Sequence, residues 1–256
     1  MSVLNIAMFG SDELAKEIAK ATDQRDVHTY VHKEADADGP RILSIIRPAK
    51  FPERLRPFLN ALSAAVVGMV EITKIDATLG EVVVAFASAG IDKGLVIINP
   101  PQGEWVDEDQ VKMIFKQAGL GNWSFEGNDG IDLRAKLYDL MDQVSADLKA
   151  IQQAPLVLPV DQHFNVKGIG LVAIGYVQSG TVNVHDDLVL LPANGTGNAK
   201  SLQVMDDDVP AAVAGDRVGL ALRNAKEDHL GSGTILVRPA TEDKKSGISL
   251  PLAVVQ

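Results

Sequence analysis

The chain has no cysteine. That absence removes disulfides, thiolate metal sites and cysteine nucleophiles from consideration together, and it suits a cytoplasmic protein. Positive charge is also short. Lys and Arg number 24 against 34 Asp and Glu, a formal net charge of −10. Neutralising a phosphate backbone needs clustered Lys and Arg, so no DNA partner is expected and any RNA contact must be local. Long apolar runs are missing: the longest, from Ala61 to Val70, is too short to span a bilayer. The first ten residues carry no basic stretch or cleavage site, and no membrane role is expected. With 256 residues, 46% of them hydrophobic, the chain can bury a sizeable core and suits two modest domains.

Two textures divide it. Over the first 150 residues short apolar runs alternate with helical patterns, the signature of a parallel sheet with crossover helices. Strands are predicted at Val3 to Phe9, Ile42 to Ile46, Ala65 to Ile72 and Gly94 to Ile98. Helices are predicted from about Glu13 to Ala21, capped by Ser11 and Asp12, then Pro52 to Leu62, Thr78 to Ala89, Glu108 to Ala118 and Ile131 to Gln152. From Leu156 through Val237 short β-rich runs are punctuated by Gly, Asn and Asp, which suggests a barrel or sandwich. This gives domains at 1–153 and 155–239. A tail at 240–256 follows, whose polar start reads as mobile and whose Ile248 to Val255 could add a strand.

The segment Leu158-Pro-Val-Asp-Gln-His-Phe-Asn-Val-Lys-Gly-Ile-Gly-Leu-Val-Ala-Ile-Gly-Tyr-Val-Gln-Ser-Gly-Thr-Val closely resembles the opening of the second domain of elongation factor Tu and its selenocysteine-specific relatives. Leu188-Val-Leu-Leu-Pro, Ser201-Leu-Gln-Val, Ala214-Gly-Asp-Arg-Val-Gly-Leu-Ala-Leu-Arg and Gly233-Thr-Ile-Leu continue the pattern in order. The glycines fit it physically: Gly168 and Gly170 at a hairpin, Gly175 at a bend and Gly180 at the next turn. The resemblance implies an all-β translation-factor barrel preceded by a P-loop GTPase-like α/β domain. In the family this barrel helps hold the terminal adenosine and amino acid of aminoacyl-tRNA. By alignment Gln203 falls where elongation factor Tu has a glutamate beside that adenosine, and Arg223 closes the same strand. Both are candidate RNA or partner contacts, beside the plainer reading as exposed surface residues.

The resemblance also implies Gly-x-x-x-x-Gly-Lys-[Ser/Thr] after the first strand, whose amides cradle phosphates while Lys reaches the β/γ oxygens and the hydroxyl holds Mg²⁺. Here the segment is Gly10-Ser-Asp-Glu-Leu-Ala-Lys16-Glu17. Gly10 and Lys16 keep their spacing, but Ala15 replaces the second glycine and Glu17 the metal-binding hydroxyl. Asp12 and Glu13 add charge that opposes a triphosphate. After the Ile42 strand, Ile45-Ile-Arg-Pro-Ala-Lys-Phe-Pro offers no acid, glycine or histidine for the metal and attacking water. The guanine-reading Asn-Lys-x-Asp appears as Asn99-Pro-Pro-Gln102, so only Asn99 remains. Between the first helix and the Ile42 strand, Thr22 to Arg41 contains no switch threonine in a matching context.

Gly10, Lys16 and Asn99 are therefore read as remnants of a nucleotide site, with no catalytic residue, no metal ligand and no resident cofactor. The leading expectation is a binding protein that contacts tRNA, ribosome or a translation factor through its barrel. A GTPase using GTP and Mg²⁺ in a non-standard site and an adaptor outside translation are the alternatives. The residues after Pro239 are too few for the family's third barrel. His28 and His32 form a weak metal candidate on a β-favouring segment, Asp206-Asp-Asp208 reads as a solvated turn, and Trp105 and Trp123, which bracket the helix after Asn99, are expected in the core.

Overall fold

In a computed structural model that describes residues 2–24, 27–37, 39–231 and 233–239, the N-terminal half alternates strands and helices. In order they are Ser2–Phe9 (β1), Asp12–Ile18 (α1), Lys20–Gln24 (β2), Val27–Glu34 (β3), Arg41–Pro48 (β4), Leu55–Ala64 (α2), Val67–Ile72 (β5), Ala77–Ser88 (α3), Gly94–Ile98 (β6), Glu108–Gln117 (α4), Ser124–Glu126 (β7) and Gly130–Ile151 (α5). Seven strands form one sheet in the order β2-β3-β4-β1-β5-β6-β7. The run from β4 to β7 is parallel. β1 and β5 are apolar and buried because helices cover both faces of such a sheet.

The first helix is shorter than its pattern suggests. α1 stops at Ile18, where Ala19 turns extended, and the chain enters the β2–β3 hairpin, antiparallel to β4. This edge hairpin occupies the segment read from sequence as a connection after a helix reaching Ala21. The β-branched and aromatic Val27, Thr29, Tyr30 and Val31 decide it, with Tyr30 fully buried. α2 likewise begins at Leu55 rather than Pro52, with Pro57 in its first turn, where a missing N–H leaves no bond unmade. Trp123 is core, as expected: it lies over Gly68 and Gly94, where an added Cβ would come within 2.1 and 2.7 Å of its ring. Its ring meets Phe86 edge-on and lies tilted against Phe115, and its indole N–H donates to the Ile91 carbonyl at 3.2 Å. Trp105 is not core: it is 80% exposed, because it follows the Pro101–Glu104 turn while its neighbour Val106 takes the inward position.

The second half comprises Leu158–Val166 (β8), Gly170–Tyr176 (β9), Thr181–Asn183 (β10), Asp187–Leu191 (β11), Gly195–Val204 (β12), Asp207–Val209 (β13), Ala211–Val213 (β14), Arg217–Arg223 (β15) and Ile235–Val237 (β16). Six of these strands close on themselves in the cycle β11-β16-β8-β9-β15-β12, the β11–β12 pairing completing the barrel. Closure leaves no open edge. Its interior is apolar, with Leu158, Ala173, Leu188, Leu190, Ala199, Leu220 and Leu236 at most 1% exposed. Gly168 takes φ +85° in the β8–β9 turn, a conformation that L side chains rarely adopt.

The chain divides into two compact units, Met1–Ser145 and Ala146–Gln256. The division falls inside α5, ahead of the Gln153–Pro155 breakpoint read from sequence, because the end of that helix is bonded into the β-rich unit. The Ile151 and Gln152 carbonyls accept from the Gly180 amide at 2.9 Å and the Thr181 hydroxyl at 3.2 Å. The tail from residue 240 onward, including the possible strand at Ile248 to Val255, lies outside the described residues.

Candidate functional site

β1 delivers Gly10 and Ser11 to the carboxyl end of the sheet, above the start of α1, where open α/β sheets bind ligands. The chain does not loop there. Ser11 caps α1, its hydroxyl accepting from the Leu14 amide at 3.1 Å, so Asp12 to Lys16 are wound into helix. Ala15, in place of a motif glycine, is fully buried on the helix's inner face. Lys16 sits a full turn into α1 and is paired with Asp12. Glu17 is exposed, its carbonyl accepting from Arg134 at 2.9 Å.

The amide facing this turn is already occupied. Glu71, at 5% exposure, accepts from the Ser11 amide at 2.6 Å through Oε2 and from the Asn99 side-chain amide at 2.7 Å through Oε1. Asn99 Oδ1 accepts from Asn128 at 3.1 Å. One carboxylate thus ties the Gly10–Ser11 turn to the start of the β6–α4 loop. Gly10 is held by packing: a Cβ would lie 2.8 Å from Met8 Cε and 2.9 Å from Glu71 Cβ. Its carbonyl accepts from Arg47 Nε at 2.7 Å, so the segment in which the resemblance implies a metal-binding acid supplies a cation bonded to backbone.

Asp12 completes the arrangement. Its carboxyl is held below the ordinary range by the hydrogen bond from Lys16 and then by that from the Tyr30 hydroxyl. Burial, reinforced by Asp12, pushes the Tyr30 hydroxyl up to about 12. Gly10 and Asn99 are therefore brought to one place through Glu71. Lys16 is diverted to Asp12. Glu71 was missed in the sequence, though a lone acid in the otherwise apolar run Val67-Gly-Met-Val-Glu-Ile was a visible signal.

His28 and His32 do not combine. His32 Nδ1 lies 2.9 Å from the Tyr138 hydroxyl on α5, and no group of His, Asp or Glu among the described residues could hold a metal. Burial lowers the His32 pKa, with Arg134 adding to the effect and Glu34 opposing it. A folded value below the ordinary ~6.5 means that the unfolded chain takes up the proton first. Stability is expected to be full above about pH 6.5 and to fall as the pH drops through the lowered value. Urea denaturation between pH 7.5 and 5 checks this, and His32→Asn, which keeps an acceptor for Tyr138, is expected to flatten the slope.

On the barrel, Gln203 and Arg223 are both exposed, but the fold does not bring them together. Gln203 pairs with Gly219, whereas Arg223 pairs with Asn198 at the other end of the β12–β15 ladder. Four residues of β15, from Gly219 to Arg223, at roughly 3.3 Å each separate them by about 13 Å along the ladder. Gln203 is bonded to Asp208 at 3.0 Å across the β12–β13 turn, which is where the three acids lie.

The order of α/β unit and closed barrel is that of known proteins. The family described as Elongation factor Tu domain 2 matches residues 170–237. An uncharacterised protein of Methanocaldococcus jannaschii is 32% identical over 237 residues, covering 92% of this chain and 72% of its own. The chain belongs to the translational GTPase family. The selenocysteine-specific elongation factor of the same archaeon is 38% identical over 122 residues, which are 47% of this chain and 26% of that factor. A bacterial selenocysteine-specific elongation factor superposes at TM-score 0.73 with 20% identity, over 93% of this chain and 45% of its own. The SelB elongation factor of Methanococcus maripaludis, solved with the GTP analogue GPPNHP, gives 0.70 and 21%, over 94% and 56%. These two show the shared fold. The chain thus spans about half the length of the solved factors, and it is translation elongation factor-like in sequence and architecture. No helix among the described residues is long and apolar enough to cross a membrane.

Proposed function

We propose that this translational GTPase relative is a binding protein that contacts tRNA, ribosome or a translation factor through its barrel and runs no efficient GTP cycle. The observation that carries the reading is Glu71, whose carboxylate takes the Ser11 amide at the place where a family member would present backbone N–H groups to phosphate. A buried anion there repels a second one. With Glu17 at the Mg²⁺-hydroxyl position and Gln102 at the guanine-acceptor position, phosphate, metal and base contacts weaken together. Each lost charged or buried hydrogen bond is worth roughly 1.5–3 kcal/mol, so three lower affinity by about three or more powers of ten.

Purified protein is expected to carry no guanine nucleotide and to show no Mg²⁺-dependent shift in melting temperature with GTP. Saturable micromolar GTP binding that excludes ATP and is abolished by Lys16→Ala would restore the GTPase alternative. For the barrel, Gln203→Ala with Arg223→Ala is expected to weaken tRNA binding about tenfold, each losing roughly one polar contact, with folding unchanged. Filter binding at two salt concentrations checks it. An unchanged affinity would place the contact elsewhere on the barrel or remove RNA as the partner.

A further inference from the structure

The β6–α4 loop holds the most exposed large hydrophobic side chain among the described residues, Trp105, on a segment anchored at both ends. The loop is anchored at its start by the Asn99 amide on the Ile72 carbonyl at 2.9 Å and by the Asn99 side chain on Glu71 and Asn128. Between its ends residues 101–105 are exposed, and the Glu104 amide donates to the Pro101 carbonyl at 2.9 Å in a local turn. The loop ends on buried Val106 and on Asp107, which caps α4 through the Asp109 and Gln110 amides. Val106 and Asp107 fix the chain directly after Trp105, which limits the ordering that seating it in a partner costs. The next loop at the same sheet edge, tied to the first by Asn128 and Asn99, opens α5 with Ile131, 70% exposed, beside the capping Asp129.

Charge on these two segments has one sign. Residues 99–110 and 126–133 contain Glu104, Asp107, Glu108, Asp109, Glu126, Asp129 and Asp132 and no Lys or Arg. Arg134 follows directly and is turned to the Ile18 and Glu17 carbonyls at 2.7 and 2.9 Å, while Lys112 and Lys136 are paired with Glu108 at 2.6 Å and Glu126 at 3.7 Å. An exposed Trp and Ile in an acidic surround is the complement of a cationic surface with apolar side chains. Acidic surroundings repel RNA, and a chain of net charge −10 repels its own copies.

We infer that the Trp105 loop, with the Ile131 turn beside it, is a docking surface for a lysine- or arginine-rich segment of another protein, Trp105 being the apolar anchor. Tryptophan is enriched among the few interface residues that carry most binding energy. This surface is separate from the barrel contact proposed above, and the two can fail independently.

The test uses the full chain and a fluorescein-labelled peptide of alternating leucine and lysine, followed by anisotropy. Trp105→Ala is expected to weaken binding about tenfold or more. Glu104→Lys with Asp109→Lys is expected to weaken it as well, Trp105→Phe to retain most of it, and Gln203→Ala with Arg223→Ala to leave it unchanged. A leucine–glutamate peptide and a uridine decamer are expected not to bind. The proposal is overturned if the Trp105→Ala chain, folded by circular dichroism, binds the lysine peptide as tightly as the wild type. Equal binding of the glutamate peptide or the RNA would also overturn it, as would Trp105-dependent self-association in sedimentation.

Discussion

Glu71→Ala is expected to destabilise the chain by about 3 kcal/mol. The side chain accepts from Ser11 and Asn99 at 2.6 and 2.7 Å, and hydrogen bonds to a charged acceptor contribute roughly 1.5–3 kcal/mol each. Water reaching the half-buried Ser11 amide and relief of a buried carboxylate offset part of the sum. Glu71→Gln keeps one acceptor and turns an N–H toward the other donor, so it should lose about as much as one bond. Urea denaturation measures both losses. Neither variant is expected to gain GTP binding, because Glu17 and Gln102 remain. An alanine variant as stable as the wild type would mean that the buried carboxylate costs as much as its bonds return, and Glu71 would not be what holds the turn.

Gly175→Ala is expected to disrupt the barrel, at a loss of at least about 3 kcal/mol. A Cβ at this position would stand 2.2 Å from the Pro159 carbonyl oxygen and 2.6 Å from Leu158. The obstacle is backbone, so no rotamer change relieves it. Gly175 also pairs on both sides, with Val160 of β8 and Val218 of β15, so a strand that moved away would open two ladders of a closed sheet. Hydrogen exchange of peptides covering 158–176 and 217–223 is expected to rise by orders of magnitude while that of β1 and β5 stays slow. Unchanged protection would show that β8 can retreat without opening the barrel.

The barrel was legible because its determinants are local. The turn glycines, the alternating burial and the order of short strands follow from side-chain period and backbone sterics, both of which act over a few residues. Gly168 was placed correctly in a hairpin for that reason, and Gly94 to Ile98 was read to the residue because a short apolar run between polar breaks leaves little choice of bounds. The edge hairpin was not legible. Ala19 to Gln24 is compatible with helix on its own, and β2 forms only because β3 is there to pair with it. Trp105 and Trp123 show the same limit from the other side. Two tryptophans flanking one helix look alike in sequence, yet one fills the space above Gly68 and Gly94 and the other stands in solvent.

Sequence by itself determined the five helices and four of the seven strands of the α/β unit, the family and which motif residues are replaced, since each depends on residue identity at fixed spacing. The alignment with the family also placed Gln203 and Arg223 on the barrel as exposed residues, and both are exposed. Only the tertiary structure decided what the surviving residues do. Lys16 pairs with Asp12, and Gly10 accommodates Glu71. Asn99 bonds to Glu71 and Asn128. Gln203 and Arg223 lie at opposite ends of one ladder. The Lys16–Asp12 pair lies within one helix turn, but the two bonds to Glu71 join residues 60 and 28 positions apart at 2.6 and 2.7 Å, and sheet order and register, not local pattern, bring those together.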